Sequence, residues 1–361
     1  MDPRIYEHAE VLVDWSARVE PGDRVVMQVD EGSVPLGVAV AGVLAEREAS
    51  LVTTFGSGEI NRAYLKQFPS EAFPEDPEHH LALLEHSDVY LRIRGGTNTS
   101  AMADVSPEVQ QAAARASTGI REATLATDWV STIHPTPSLA QQASMATEEY
   151  RDFAYRAILY DWESLAAEMA ELKERLDGGA EVHIETPVTD LTMQIDGRTA
   201  VNSAASVTYD SHNLPSGEVF TAPYGTEGVV TFDIPMTIRG SPVRDVRLTF
   251  EAGEVVDVDA AEGLEVIEGV LETDDGARRL GELGLGMNRA IDRYTNNILF
   301  DEKMGGTFHL ALGRAYDACL PSGDAGNESA VHVDLLGNFG DGSTMRIDGE
   351  PVLSDGTYVW E

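Results

Sequence analysis

Apolar positions recur at two spacings along the chain, and the change from one to the other divides it. From Ile5 to Val19 and from Val34 to Arg47 they fall at intervals of three and four, the period of a helix with one buried face. GDRVVMQVD (22–30) and ASLVTTF (49–55) are short apolar runs entered from turn residues, which predict buried strands. Strand, helix and strand within about thirty residues make a βαβ unit, and its geometry requires parallel pairing. DVYLRIRG (88–95) predicts a further strand and 107–116 a further helix. Glu148 to Leu176 predicts a long helical stretch bent near Tyr160.

After Asp177-Gly178-Gly179 the period shortens to two. AEVHIETP, DLTMQID, GVVTFDIPMTI, DVRLTFEAG and EVVDVDA are short alternating segments between turns, the pattern of antiparallel strands with one face buried. A helix is predicted around Thr273–Leu283, followed by strand-like FHLALG (308–313) and VHVDLL (331–336). The expected architecture is α/β: an N-terminal α/β domain with a mainly parallel sheet over 1–177, then a mixed, β-rich α+β domain over 178–361.

Charge narrows the function classes. Lys and Arg total 25 against 62 Asp and Glu, a net charge of −37. Such a surface repels phosphate backbones and anionic lipid, which argues against nucleic-acid and membrane partners. Only Lys66, Lys173 and Lys303 are lysines. Acidic excess with so little lysine suits concentrated salt, where repulsion is screened within about 3 Å, and suggests a halophilic source. No run approaches the ~20 apolar residues of a bilayer span, and MDPRIYEHAE lacks the basic and apolar regions of a signal peptide. A cytoplasmic protein is therefore expected. Cys319 is the only cysteine, which excludes an internal disulfide and a thiolate zinc site.

The turn after the first strand, DEGSVPLG, is neither a dinucleotide nor a P-loop fingerprint, so no nucleotide cofactor is expected. Chemistry concentrates in the second half. His332 and Asp334 lie two apart in an apolar strand and project to one face. His309 sits in FHLALG, Glu218 in SGEVFTAP and Glu282 in LGELGLG, each among small and apolar residues. Each alone also reads as a core histidine or a surface carboxylate. Burying a carboxylate costs several kcal/mol unless it is neutralised, and a metal neutralises them together. Histidine and carboxylate without thiolate fit zinc, cobalt or manganese. Five donors exceed what one four-coordinate ion with an open position takes, and suit a pair of ions ~3.5–4 Å apart. From the residues alone this is a metal-dependent hydrolase. Glu302 is a candidate general base or an orienter of a histidine, and Lys303 a counter-charge for the acidic pocket.

HNLPSGEVFTAP (212–223), LGELGLGMN (280–288), LFDEKMGGTFHLALGRAY (299–316) and NESAVHVDLL (327–336) together resemble the M29 metallopeptidases of the aminopeptidase T type, in order and in spacing. WVSTIHPTPSLAQQASMATEEYRDF (129–153) extends the resemblance into the first half. The resemblance implies a dinuclear aminopeptidase that takes single residues from peptide N-termini, as a homodimer with an enclosed cavity. It implies Glu218, Glu282, His309, His332 and Asp334 as metal ligands and Tyr316 as a catalytic aid. The alternative from another class is a non-catalytic, metal-stabilised dimer of the same fold.

Overall fold

The computed structural model describes residues 2–69, 72–73, 77–238 and 240–360. The chain forms two compact units, Met1–Tyr160 with Ala205–Pro215, and Asp161–Ala204 with Ser216–Glu361.

The first unit is built on five parallel strands in the order β2-β1-β3-β4-β8: β1 (Arg24–Asp30), β2 (Ser50–Gly56), β3 (Val89–Arg94), β4 (Asp128–Ile133) and β8 (Asn213–Leu214). Val25, Val26, Met27 and Val29 of β1 are buried, as an apolar run inside a parallel sheet should be. The crossover helix Val34–Glu46 buries Leu36, Val40, Val43 and Leu44. The expected βαβ unit over 22–55 is present. So is the break near Tyr160: one helix ends at Ile158, and the next starts at Trp162 with the Asp161 side chain accepting from Ser164 N at 3.1 Å.

Among the described residues the strands of the second unit pair antiparallel, with one isolated parallel bridge between Asn288 and Met304. Eight strands run in the order β14-β13-β10-β6-β5-β18-β19-β20: β5 (Glu181–Thr186), β6 (Thr189–Gln194), β10 (Tyr224–Phe232), β13 (Val246–Glu251), β14 (Glu254–Asp259), β18 (Thr344–Ile347), β19 (Glu350–Ser354) and β20 (Thr357–Tyr358). Five form a second sheet, β17-β16-β15-β9-β7: β7 (Val201–Ser203), β9 (Glu218–Thr221), β15 (Leu280–Gly286), β16 (Thr307–Gly313) and β17 (His332–Asn338). A separate hairpin joins β11 (Met236–Ile238) and β12 (Ser241–Val243). Phe232 of β10 meets Phe308 of β16 with ring centroids 6.3 Å apart. The fold class is the expected one, parallel α/β followed by a β-rich α+β part.

The helix expected around Thr273–Leu283 is not formed. A helix occupies Leu264–Leu271, a single tight turn Asp275–Arg278, and the chain then extends as β15. The apolar spacing of Ala277, Leu280 and Leu283 imitates a helix. Gly281, Gly284 and Gly286 weigh against one, and all seven residues of β15 are buried, so no alternation marks the strand.

Candidate metal centre

Directly opposed residues of an antiparallel pair share a sheet face. Across the five-stranded sheet Glu218 opposes Gly286, Gly284 opposes His309, Ala311 opposes Glu282 and Asp334, and Gly313 opposes His332. The five donor residues therefore stand on one face, interleaved with four small residues that leave room above the sheet. At Gly284 the room is filled: a Cβ there would fall inside the His309 imidazole.

His309 Nε2 lies 2.9 Å from Glu282 Oε1 and 3.6 Å from Glu218 Oε2. His332 Nε2 is 3.5 Å from both Glu282 Oε2 and Asp334 Oδ1. Ligand atoms of Glu218, Glu282 and His309 all lie within 4.8 Å of one another. Glu218 is 6%, Glu282 5% and His309 1% exposed, while His332 and Asp334 open the cluster at the sheet edge.

Glu302 and Lys303 follow a one-turn helix, Ile298–Asp301, whose last residue is anchored. Asp301, buried, accepts from Thr295 N at 2.8 Å, Thr295 Oγ1 at 2.7 Å and Asn297 N at 3.1 Å. The loop backbone then passes over Gly286, where a Cβ would strike the Met304 carbonyl. Lys303, fully buried, sets its ammonium 3.2 Å from Glu218 Oε1 and against Glu302 Oε1. Sequence reasoning singled out Lys303 but not Asp301, Gly284 or Gly286. The available signal for the glycines was their alternation with donors in LGELGLG.

The electrostatics follow from burial and crowding. Burial pushes the Glu218, Glu282 and Glu302 carboxyls above their ordinary range. Burial works against the Lys303 ammonium, but Glu218 and Glu302 outweigh it and hold it above the usual lysine value. Burial likewise opposes charge on His309 and is overcome by Glu282 and Glu218, raising it to about 10. At His332 it is overcome by Asp334, raising it to about 9. Asp334 is held low despite burial because His332 hydrogen-bonds to it. Tyr316 packs edge-on to His332 at 4.9 Å and lies 5.6 Å from Phe220. Burial around its hydroxyl and the Glu282 and Asp334 carboxylates push it upward, although 49% of the residue is exposed.

The donor set fits divalent cations. Glu218 Oε2 is buried with no hydrogen-bond partner, a state costing ~1–3 kcal/mol or more for a charged group, and a cation satisfies it. Four carboxylates face one ammonium, so with neutral imidazoles an excess of three negative charges remains. Oxygen and nitrogen donors without thiolate suit zinc, cobalt or manganese.

Residues 1–358 match the family model described as thermophilic metalloprotease (M29). The chain is 29% identical to aminopeptidase 2 of Geobacillus stearothermophilus, over 98% of this chain and 97% of that protein. It is 30% identical to aminopeptidase T of Thermus aquaticus, over 97% and 95%. The solved structure of wild-type AmpT from Thermus thermophilus superposes with a TM-score of 0.86 at 28% identity, covering 99% of both chains.

Proposed function

The chain belongs to the M29 family of metalloproteases, and from that premise we propose that it is an aminopeptidase holding two divalent cations on Glu218, Glu282, His309, His332 and Asp334. The coarser part of this, a metal-dependent hydrolase of the aminopeptidase class, is the activity its relatives are named for. The pair of ions is supported by the number of donors, which exceeds what one four-coordinate ion with an open position takes. The observation that carries the reading is five donor side chains on one sheet face around an unpartnered, buried carboxylate oxygen.

Bound divalent ions supply polarisation of the scissile carbonyl and a water acidified toward pKa ~7. The remaining work falls to the chain. His309 presents Nε2 to the cluster because Gly284 leaves space for its ring. Glu302, its carboxyl raised by burial, takes a proton from the attacking water and returns it to the departing amine. Lys303 keeps Glu302 and Glu218 apart in charge and fixed in position. Tyr316, its pKa raised, stays protonated and donates a hydrogen bond to the oxyanion.

The test is release of leucine from leucinamide and leucyl peptides by purified protein given zinc, cobalt or manganese. Turnover lost in chelator and regained with metal supports the reading, and full turnover after exhaustive metal removal contradicts it. Metal analysis should give two ions per chain. The homodimer the family implies predicts a solution mass of twice 39.0 kDa.

A further inference from the structure

β17 lies at the edge of its sheet. Arg314 N donates to Val331 O at 2.8 Å and Phe339 N to Gly306 O at 3.0 Å, which sets the phase of the β16–β17 ladder. In that phase Val333, Leu335 and Gly337 turn their backbone groups toward β16, and His332, Asp334, Leu336 and Asn338 turn theirs outward. Asn338 N is taken by Asp233 Oδ1 at 3.0 Å. The outward N–H and C=O groups of His332, Asp334 and Leu336 have no partner among the described residues.

A cleft of about 440 Å³ runs beside this edge, within the ~300–1,000 Å³ range of ligand pockets. His332 and Asp334 form part of its wall, and Ile234, Met236, Ile238 and Ile298 make much of the rest apolar. So the residues whose side chains join the donor cluster also offer free backbone to the cleft. An occupant of the cleft reaches both. Open strand edges are ordinarily covered or blunted. On its outward side this one makes no backbone hydrogen bond along His332–Leu336 among the described residues, beside the donor cluster.

The geometry points to a substrate subsite along β17: an extended peptide pairs as an added strand with the outward backbone groups of His332, Asp334 and Leu336. Its N-terminal end then lies at the donor cluster, and an apolar side chain fills the cleft. Main-chain pairing supplies affinity without regard to sequence, and the cleft supplies a preference for apolar residues at alternate positions. This rests on the aminopeptidase reading and assigns its substrate class, extended peptides longer than a dipeptide.

The test uses metal-loaded enzyme and leucyl pentapeptides carrying a single N-methyl group on the third or on the fourth residue. Strand pairing uses the N–H of alternate residues only. The expected result is a loss of about tenfold in kcat/KM at one position and less than about threefold at the other. Equal tolerance, or equal loss, at both positions overturns the subsite. A pentapeptide whose first bond is reduced to a methylene-amine should also slow hydrogen exchange at the Asp334 and Leu336 amides by about tenfold or more, and unchanged exchange overturns it. If the unmethylated peptides are cleaved and the alternation is missing, this inference alone fails. If neither leucinamide nor any peptide is cleaved, the aminopeptidase reading fails and takes the subsite with it.

Discussion

Gly284→Ala is a one-carbon change whose sign reports on the site. In a strand free of neighbours alanine is better than glycine by ~0.5–1 kcal/mol, because glycine loses more backbone freedom on folding. At 284 the new methyl falls inside the imidazole of His309, the residue paired with it on β16, which is 1% exposed on a fully buried strand. The ring must rotate away or the strands must part, and overpacking of this kind costs ~1–3 kcal/mol. Rotation also withdraws Nε2 from Glu282 and Glu218, so metal affinity should fall by about tenfold or more. The assay is urea unfolding of chelated protein, with affinity measured by competition against a chromophoric chelator. Gly269→Ala is the control: it lies in the helix Leu264–Leu271 with nothing within 4 Å of its Cβ, and should stabilise. In a His309→Ala background the 284 substitution should become neutral or stabilising. If Gly284→Ala alone is as stable as the parent and binds metal as tightly, the interleaving of glycines and donors does not shape the site.

Lys303→Met leaves Glu218 and Glu302 buried beside each other without their cation. Chelated protein should lose ~3–5 kcal/mol in urea unfolding, with part of the loss recovered on adding zinc. Tyr316→Phe should lower kcat about 10²–10³-fold while KM and metal stoichiometry stay within about twofold, as read from leucinamide kinetics and metal analysis. His8 is fully buried in the first unit, and its Nε2 lies 2.8 Å from Thr132 Oγ1. The single Thr132 hydroxyl proton goes to Leu214 O, so His8 Nε2 is the donor and Nδ1 is left unprotonated with no partner. Burial lowers its pKa from 6.5 to about 3. The unfolded chain therefore takes up the proton first as pH falls. This contribution to stability is complete above pH ~6.5 and declines toward pH ~3, with a slope of up to ~1.4 kcal/mol per pH unit. Unfolding of His8→Leu across pH 4–7 should show a shallower acid slope than the parent, and equal slopes would refute the assignment.

Local pattern carried much of this architecture. The βαβ unit follows from valine runs and turns. The shared face of His332 and Asp334 follows from a spacing of two in a strand. Pattern failed where both faces of an element are buried. β15 carries Glu282 with no polar alternation to mark it, so its apolar residues read as a helix. Nor does local sequence disclose partners distant in the chain. The ion pair of Lys303 with Glu218, across 85 positions, depends on the approach of the Lys303–Met304 backbone to Gly286. The return of Ala205–Pro215 to the first unit rests on the two-residue strand β8 beside β4, too short to leave a period.

The central claim is that one sheet face gathers a pair of cations, and anomalous diffraction from metal-loaded crystals, collected above and below the absorption edge, tests it most directly. The account predicts two peaks per chain within reach of Glu218, Glu282, His309, His332 and Asp334. A single peak, or peaks held by other residues while these five side chains stay bare, would contradict it.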